Sequence, residues 1–495
     1  MDETRHSRTL IFLAGFGLAT AVAIMVLRIF DAFSFVTPYQ MAAGGFEEES
    51  LFAIWKVVNG KKLYADPFTV PYAASYFNWG FYHFYGLIVG LAQDWLDLDD
   101  NWIPMLCRWV SLAGCLSGFF IALALYRKTS RKALVPAVLF AGLLFLGPLV
   151  GYWAVAVRPD VWATALEALA ILVLLHGRSR DRLLGVLAAA VLCYLAWSFK
   201  QTAVAAPVAI CLFLIWRRRF NHLFVVVGVF WALVGISFQL GDEQYRSTIL
   251  LRGSAVSFSP LAWLVVLVNF AIKALPAWAH AVGPVARFAT NGEYRYTVKP
   301  NDAFVLGLCG LAAWAVLLLP ASAKVGAAEN YHFSALLFLG LIASATFEAQ
   351  MAARDAMIRV ILFGGWALFA GASLYGVFGG AKLSLLDSHE ALMAEKECIE
   401  RLATPVFTYN RIAALPWINP SPPYLVRAYN YEADRAAGKP FKDGGIGGLI
   451  AEGYFGALLL PKRTDQIFDD VRLIKYQRQL DLCANRAVYL RKPDS

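Results

Sequence analysis

Four short polar stretches carry the residue types that acid–base chemistry and anion binding require. Glu47, Glu48 and Glu49 precede an amphipathic run (Leu51, Phe52, Ile54, Trp55, Val58) that ends at Asn59-Gly60. Acids at a helix start suit the helix dipole, which accounts for one or two of them. Three beside an aromatic-rich membrane surface fit less well, because desolvation and like charge raise at least one pKa. A carboxylate shifted in that way is a general-base candidate. Arg158-Pro159-Asp160 reads equally as an ordinary helix start and as a cation aimed at an anionic substrate. Lys200, within Phe199-Lys200-Gln201-Thr202, either snorkels to a membrane interface or meets a phosphate as a compact point charge. Glu329-Asn330-Tyr331-His332 offers a helix cap and interfacial aromatics on one reading, and hydrogen bonds to sugar hydroxyls or phosphate on the other.

The elements that must position these residues are membrane helices. Of 495 residues, 59% are hydrophobic and 16% charged; soluble chains usually carry about 25% charged residues. Mean hydropathy is +0.56. Disorder is excluded by this hydrophobicity. The apolar runs are long and continuous, as helical spans are, and lack the alternation of a membrane barrel. The net charge of +9 is read as the Lys/Arg bias of cytoplasmic loops, and nucleic acid is not expected as a partner. Gly-rich phosphate loops, zinc-type Cys/His spacing, heptads and internal repeats are absent from the sequence.

Eleven spans are expected, near 10–27, 103–126, 133–152, 161–176, 183–198, 203–216, 222–240, 260–281, 303–320, 333–349 and 358–379. The first follows Arg5 and Arg8 and is read as an uncleaved anchor. With the N-terminus inside, seventeen Lys/Arg fall in inner segments and eight in outer interhelical ones. That asymmetry predicts N-in, C-out, and puts all four polar stretches on the outer face. Phe81–Trp95 is short and flanked by Asn78 and four aspartates. Counting it as a crossing would put the Arg127–Lys132 cations outside, so it is expected to lie along the outer surface.

From Lys382 the chain turns polar and proline-containing. Helices at 388–402, 446–453 and 464–471 and strands at 405–409, 456–460, 476–482 and 486–491 predict a small α/β domain. The predicted fold is therefore an all-α polytopic membrane bundle of about eleven helices over 1–381, including an outer loop 31–102 with interfacial helices, followed by an outer α/β domain over 382–495. Cys107, Cys115, Cys193, Cys211 and Cys309 read as buried apolar residues. Cys398 and Cys483 either pair in an oxidising compartment or remain two thiols. Glu167, the deepest carboxylate, is expected to face the bundle interior with a structural partner. Lys273 and His280 carry no assignment. The aromatics from Tyr72 to Tyr85 are read mainly as interface anchors.

The stretches EEESLFAIWKVVNGKKLYADP, RPDVWATALEALAILVLL, FKQTAVAAPVAI and KVGAAENYHF, in this order and spacing, resemble the GT-C superfamily of integral-membrane glycosyltransferases. The branch they are most similar to is the protein-mannosyltransferase and aminoarabinose-transferase group, over about residues 10–380. The resemblance implies transfer of a sugar from a polyprenyl-phosphate donor to a glycan, lipid (lipid A or lipopolysaccharide) or protein acceptor. It implies a bacterial inner membrane with the N-terminus cytoplasmic and the C-terminal domain periplasmic.

Counting back from Gly60, the resemblance puts the acidic base at Glu47, with Glu48 beside it; three glutamates leave the choice open. Gly60, Leu63-Tyr64 and Asp66 match the rest of the loop signature, whereas Asn78-Trp79-Gly80 replaces a common proline pair. The expected roles are then an inverting attack with Glu47 or Glu48 as base. Arg158 and Lys200 hold the phosphate, with Arg252 a weaker candidate. Asp160, Gln201, Asn330, Tyr331 and Tyr64 complete the substrate site. Phosphate leaves without a proton and Lys/Arg can neutralise it, so no obligatory cofactor is expected, although paired carboxylates admit a divalent cation. The alternatives are a transporter or lipid flippase without chemistry, which would want midplane charges and broken helices, and a non-catalytic scaffold.

Overall fold

The computed structural model describes residues 2–34, 47–130, 133–176, 182–250, 257–290, 301–324, 327–352, 355–378, 385–409, 413–426, 428–460, 473–479, 482–483 and 486–493. Its helices are α1 (Asp2–Phe33), α2 (Glu47–Val58), α3 (Trp79–Leu96), α4 (Ile103–Thr129), α5 (Leu134–Phe145), α6 (Asp160–His176), α7 (Arg182–Phe199), α8 (Ala205–Trp216), α9 (Phe220–Leu240), α10 (Glu243–Leu250), α11 (Pro260–Lys273), α12 (Leu275–Thr290), α13 (Asp302–Ala321), α14 (Phe333–Met351) and α15 (Ala356–Phe378). Six of them, α1, α4, α9, α13, α14 and α15, are long and apolar enough to cross a membrane, and α11 with α12 makes a seventh if the bent pair is one span. Large apolar side chains such as Phe12, Phe120, Trp231 and Leu368 are exposed on the bundle exterior, as lipid-facing positions require.

Each of the eleven expected spans coincides with a helix or helix pair, but length and composition support only six or seven crossings among the described residues. Two differences have local causes. The expected span 133–152 stops as a helix at Phe145, three residues before Pro148, which cannot donate to the helical ladder and restricts Gly147. The expected span 260–281 is two helices meeting at 86° about Ala274. Pro276 has no N–H for the carbonyl four residues back, and it sits at home in the first turn of α12. Elsewhere the starts are capped: Asn78 Oδ1 accepts the Trp79 N–H at the head of α3, and Ser259 Oγ accepts the Ala262 N–H at the head of α11. Helix α3, which carries Phe81–Trp95, is not among the helices long and apolar enough to cross a membrane.

The bundle core is built where α4 packs on α5 and α6, α6 on α7, and α13 on α8 and α14. Gly310 makes one of these contacts close: a Cβ there would lie 2.1 Å from the buried Phe338 ring.

The tail opens with α16 (Leu385–Glu400), followed by β1 (Val406–Thr408), α17 (Ala428–Ala436), α18 (Gly445–Glu452), β2 (Ala457–Leu460), β3 (Tyr476–Gln479) and β4 (Ala487–Arg491). The sheet order is β1-β2-β4-β3, with β1 parallel to β2 and the other pairs antiparallel. Helix α17 was not expected. The helix expected at 464–471, the domain boundary at 381/382 and Arg252 all lie outside the described residues. Cys398 and Cys483 form a disulfide, which joins α16 to the segment before β4. The tail rests on the loop between α2 and α3. Tyr72 donates its hydroxyl to Lys442 O at 2.8 Å, the Lys442 N–H donates to Phe68 O at 2.8 Å, and Phe68 meets Phe441 edge to face. Leu392, Ile399, Val406 and Trp417 share one apolar cluster with α2 and α3.

Candidate active site

The first turn of α2 points inward, and Glu47, Glu48 and Glu49 are all buried. Glu47 Oε1 accepts the backbone N–H of Val157 at 2.9 Å, 110 residues along the chain. Arg108, on the second turn of α4, lies with Nη2 3.6 Å from the same oxygen and donates from Nη1 to Val155 O at 3.2 Å. Ser111, one turn further along α4, donates to Ala156 O at 2.8 Å and exchanges a 2.9 Å hydrogen bond with Tyr85. Segment 155–157 is thereby clamped from α4 and α2 together, and the residue after it is Arg158.

Asp160 is the centre of the second half of the site. Its Oδ1 accepts from Lys200 Nζ and from Asn330 Nδ2, the latter at 2.7 Å; its Oδ2 lies 3.3 Å from Arg158 Nε. Three of the four polar stretches therefore converge on one buried carboxylate, brought by the start of α6, the end of α7 and the turn before α14. Two cations share that carboxylate. The ring faces complete the arrangement: Lys200 Nζ lies 5.2 Å from the Tyr331 centroid, and the Arg158 guanidinium lies 4.7 Å from Trp153 and 5.5 Å from Phe77. Such faces attract cations and hold them in place. Burial pushes the Lys200 ammonium below its ordinary pKa, with Asp160 pulling the other way. An anion arriving beside it would favour the charged form.

Gln201 and Tyr64 frame the cluster. Gln201 Nε2 donates to Tyr76 O and Tyr64 Oη donates to Phe77 O, both at 2.9 Å. Burial pushes the Tyr64 phenol well up. Tyr245 donates to Asn78 Oδ1, and Asn78 in turn donates to Trp197 O at 3.0 Å, tying the head of α3 to the end of α7. The stretch 76–78 thus lies against the cluster, with the Phe77 ring facing Arg158.

Other polar residues settle elsewhere. Glu167 accepts from Ser334 Oγ at 2.6 Å and from the Ala206 N–H at 3.3 Å, joining α6, α8 and α14. Glu329 pairs with Lys273 at the end of α11, so it is not part of the Asp160 cluster. His280 sits in a buried knot with Gln350 and Trp366.

Arg108 is the residue that sequence reasoning missed. It lies inside the expected span 103–126, and a cation within a membrane helix is by default a functional-site signal. That signal was readable. Its pairing with Glu47 was not, because 61 residues separate the two and no periodicity links them.

No protein-family model matches this chain, and no curated protein matches it. Solved structures do share its architecture. ArnT from Cupriavidus metallidurans in the apo state superposes with a TM-score of 0.59 at 12% identity, over 95% of this chain and 96% of that one. ArnT from the same organism bound to undecaprenyl phosphate gives 0.56 at 11% identity, over 94% and 97%. The archaeal oligosaccharyltransferase AglB from Archaeoglobus fulgidus, in complex with an inhibitory peptide and a dolichol-phosphate, gives 0.51 at 12% identity, over 90% and 68%. At these identities the likeness is one of fold. The expected architecture, a polytopic helical bundle with a small C-terminal sheet, is the fold this chain adopts.

Proposed function

We propose that the protein is a membrane glycosyltransferase that moves a sugar from a polyprenyl-phosphate donor to a hydroxyl acceptor on the outer, periplasmic face of the bacterial inner membrane. The observation that carries this reading is the junction at Val157. Val157, whose N–H the Glu47 carboxylate accepts, is the residue before Arg158 of the Arg158–Asp160–Lys200–Asn330 cluster, which supports a base and a pair of cations serving one site. The solved structures of similar fold that hold undecaprenyl phosphate or dolichol-phosphate support the same class of donor.

The chemistry needs two things: a base for the acceptor proton and positive charge for the leaving phosphate. Glu47, or Glu48 next to it, takes the proton of the acceptor hydroxyl as its oxygen bonds to the anomeric carbon. The bond from that carbon to the phosphate oxygen breaks, its electron pair stays on the phosphate, and attack from the opposite side inverts the anomeric centre. Arg158 and Lys200 receive the phosphate. Asp160 and Asn330 hold the two cations in register, and the Tyr331 and Trp153 rings keep them there. Arg108 is a positioning residue, since it fixes the Glu47 carboxylate and the 155–157 segment together. Tyr64 and Gln201 shape the wall through the Tyr76 and Phe77 carbonyls. No obligatory metal enters this scheme. Glu47 and Asp160 already face cations (Glu47 faces Arg108, Asp160 faces Arg158 and Lys200), a poor setting for a divalent cation. Transfer that EDTA abolishes and a divalent ion restores would contradict that part of the reading.

The disulfide between Cys398 and Cys483 supports the topology proposed, N-terminus cytoplasmic and tail periplasmic, because such bonds persist in oxidising compartments. Proteoliposomes test the function as a whole. The enzyme reading predicts labelled sugar attached to acceptor. A flippase would move the lipid without forming a product, and a scaffold would do neither; either result contradicts the proposal.

A further inference from the structure

A second site lies away from the Asp160 cluster. A cleft of about 490 Å³ opens between the C-terminal half of α2, with the loop after it, and the proline-rich Pro416–Pro423 stretch of the tail. The α2 side carries Trp55, Lys56, Lys61 and Lys62. The tail side is fixed in place: Asn419 Nδ2 donates to Val406 O at 3.2 Å and Ser421 Oγ accepts the Val406 N–H at 2.8 Å, so the stretch is pinned to β1. Its prolines add fixed φ angles.

Lys56 and Lys61 are held by neutral groups. Lys56 is only 6% exposed. Its ammonium donates to Leu63 O and to Ser75 Oγ, the latter at 3.1 Å, and lies 5.2 Å from the Phe52 centroid. An ammonium has three donors, so one remains. Lys61 Nζ lies 4.5 Å from the Trp55 centroid. Among the described residues neither lysine meets a carboxylate within ion-pair distance, whereas Lys62 is paired with Asp242 at 2.9 Å. Burial pushes Lys56 down to about 8, with the more distant Glu49 pulling it up. A buried cation with no anion beside it is costly, and a bound anion removes much of that cost.

We propose that this cleft binds the anionic group, a phosphate monoester or carboxylate, of a saccharide acceptor, with Lys56 and Lys61 as its contacts. The proposal rests on the glycosyltransferase reading and adds the acceptor's class to it. Lys56 is nine residues beyond Glu47 on the same helix, about 13 Å at the helical rise. The anionic group would therefore be held at about that distance from the hydroxyl that reacts. Trp55 and the prolines offer flat apolar faces for the C–H side of sugar rings. The far wall is the tail domain rather than the lipid-facing bundle surface, which favours a glycan over a bilayer headgroup.

The test uses the full-length protein in zwitterionic nanodiscs and a fluorescent disaccharide bearing one phosphate monoester, with its dephosphorylated form as control. The phosphorylated probe should bind and the control should bind far more weakly. Lys61→Gln and Lys56→Gln should each weaken the phosphorylated probe by about ten- to a hundredfold, the loss of one charged hydrogen bond, and leave the control unchanged. If Lys56→Gln fails to fold, Lys61→Gln decides, because its side chain is exposed and, among the described residues, holds only the Trp55 face. Equal binding of the two probes, or wild-type binding by Lys61→Gln, overturns the proposal. So does displacement of the probe by phosphatidylglycerol vesicles but not by unlabelled phosphorylated disaccharide, which assigns the cleft to a headgroup. Binding does not require turnover. Sugar transfer without phosphate preference faults the cleft alone, and phosphate-dependent binding without transfer faults the catalytic reading alone.

Discussion

Glu47 Oε1 and the Val157 N–H, 2.9 Å apart, join the start of α2 to the turn that opens α6. Through this bond the Glu47 carboxylate meets the residue that precedes Arg158, whose partner Asp160 also holds Lys200. The same oxygen faces Arg108, so the bond belongs to a buried pair rather than to an isolated contact.

Breaking one side of that pair should cost stability as well as rate. Arg108→Gln leaves a buried carboxylate without its cation, an effect of about 3–5 kcal/mol in comparable cases. The double variant Glu47→Gln/Arg108→Gln should lose less than the sum of the single losses, because the first change already removes the charge that the second orphans. Denaturation in detergent measures this; strict additivity would show that the two residues are not coupled.

The phosphate contacts should appear as donor affinity. Lys200→Gln and Arg158→Gln each remove a charged donor, worth about 1.5–3 kcal/mol, and should raise the KM for the polyprenyl-phosphate sugar by about ten- to a hundredfold. Asn330→Ala, which removes a neutral bond to Asp160, should have a smaller effect. A fall in kcat with the donor KM unchanged would place these residues outside the phosphate site.

Lys56 sets a pH dependence of stability. Its pKa of about 8 in the folded chain lies below the ordinary lysine value of about 10.4. Between those two values the unfolded chain binds more protons than the folded one, so stability rises with pH, by up to about 1.4 kcal/mol per pH unit. Below pH 8 both states are protonated and this slope vanishes. Unfolding of wild type and Lys56→Met, compared at pH 7.5 and 9.5, should show the rise in wild type only. Parallel behaviour of the two proteins would contradict the buried-cation description.

The Cys398–Cys483 disulfide closes a separation of 85 residues. Its removal in Cys398→Ser/Cys483→Ser should lower stability by about 2–5 kcal/mol. Native protein should leave both thiols unlabelled by alkylating reagents until it is reduced; labelling before reduction would exclude the bond.

The helices of the bundle were legible because apolar runs are properties of contiguous sequence. Strands β1, β2 and β4 were legible for the same reason, each as a short run rich in Val, Leu, Tyr or Phe between turn residues. The break at Ala274 had its signal in Pro276, and reading 260–281 as one span gave apolar length precedence over it. The partnerships were not legible. Asp160 read as a first-turn acid like any other, and nothing in spacing says that Lys200 and Asn330 share one of its oxygens. Glu329, adjacent to Asn330, leaves the cluster for Lys273 because α11 ends beside it, a consequence of the same bend. Arg108 was visible as a charge in a span, but its partner was fixed only by the packing of α2 on α4.

Sugar transfer in proteoliposomes by Glu47→Gln and Glu48→Gln, against wild type, tests the central claim most directly. Loss of the base predicts a fall of about 10²–10⁴ in the rate for one of the two, with donor binding retained. Near-wild-type transfer by both variants would contradict the account.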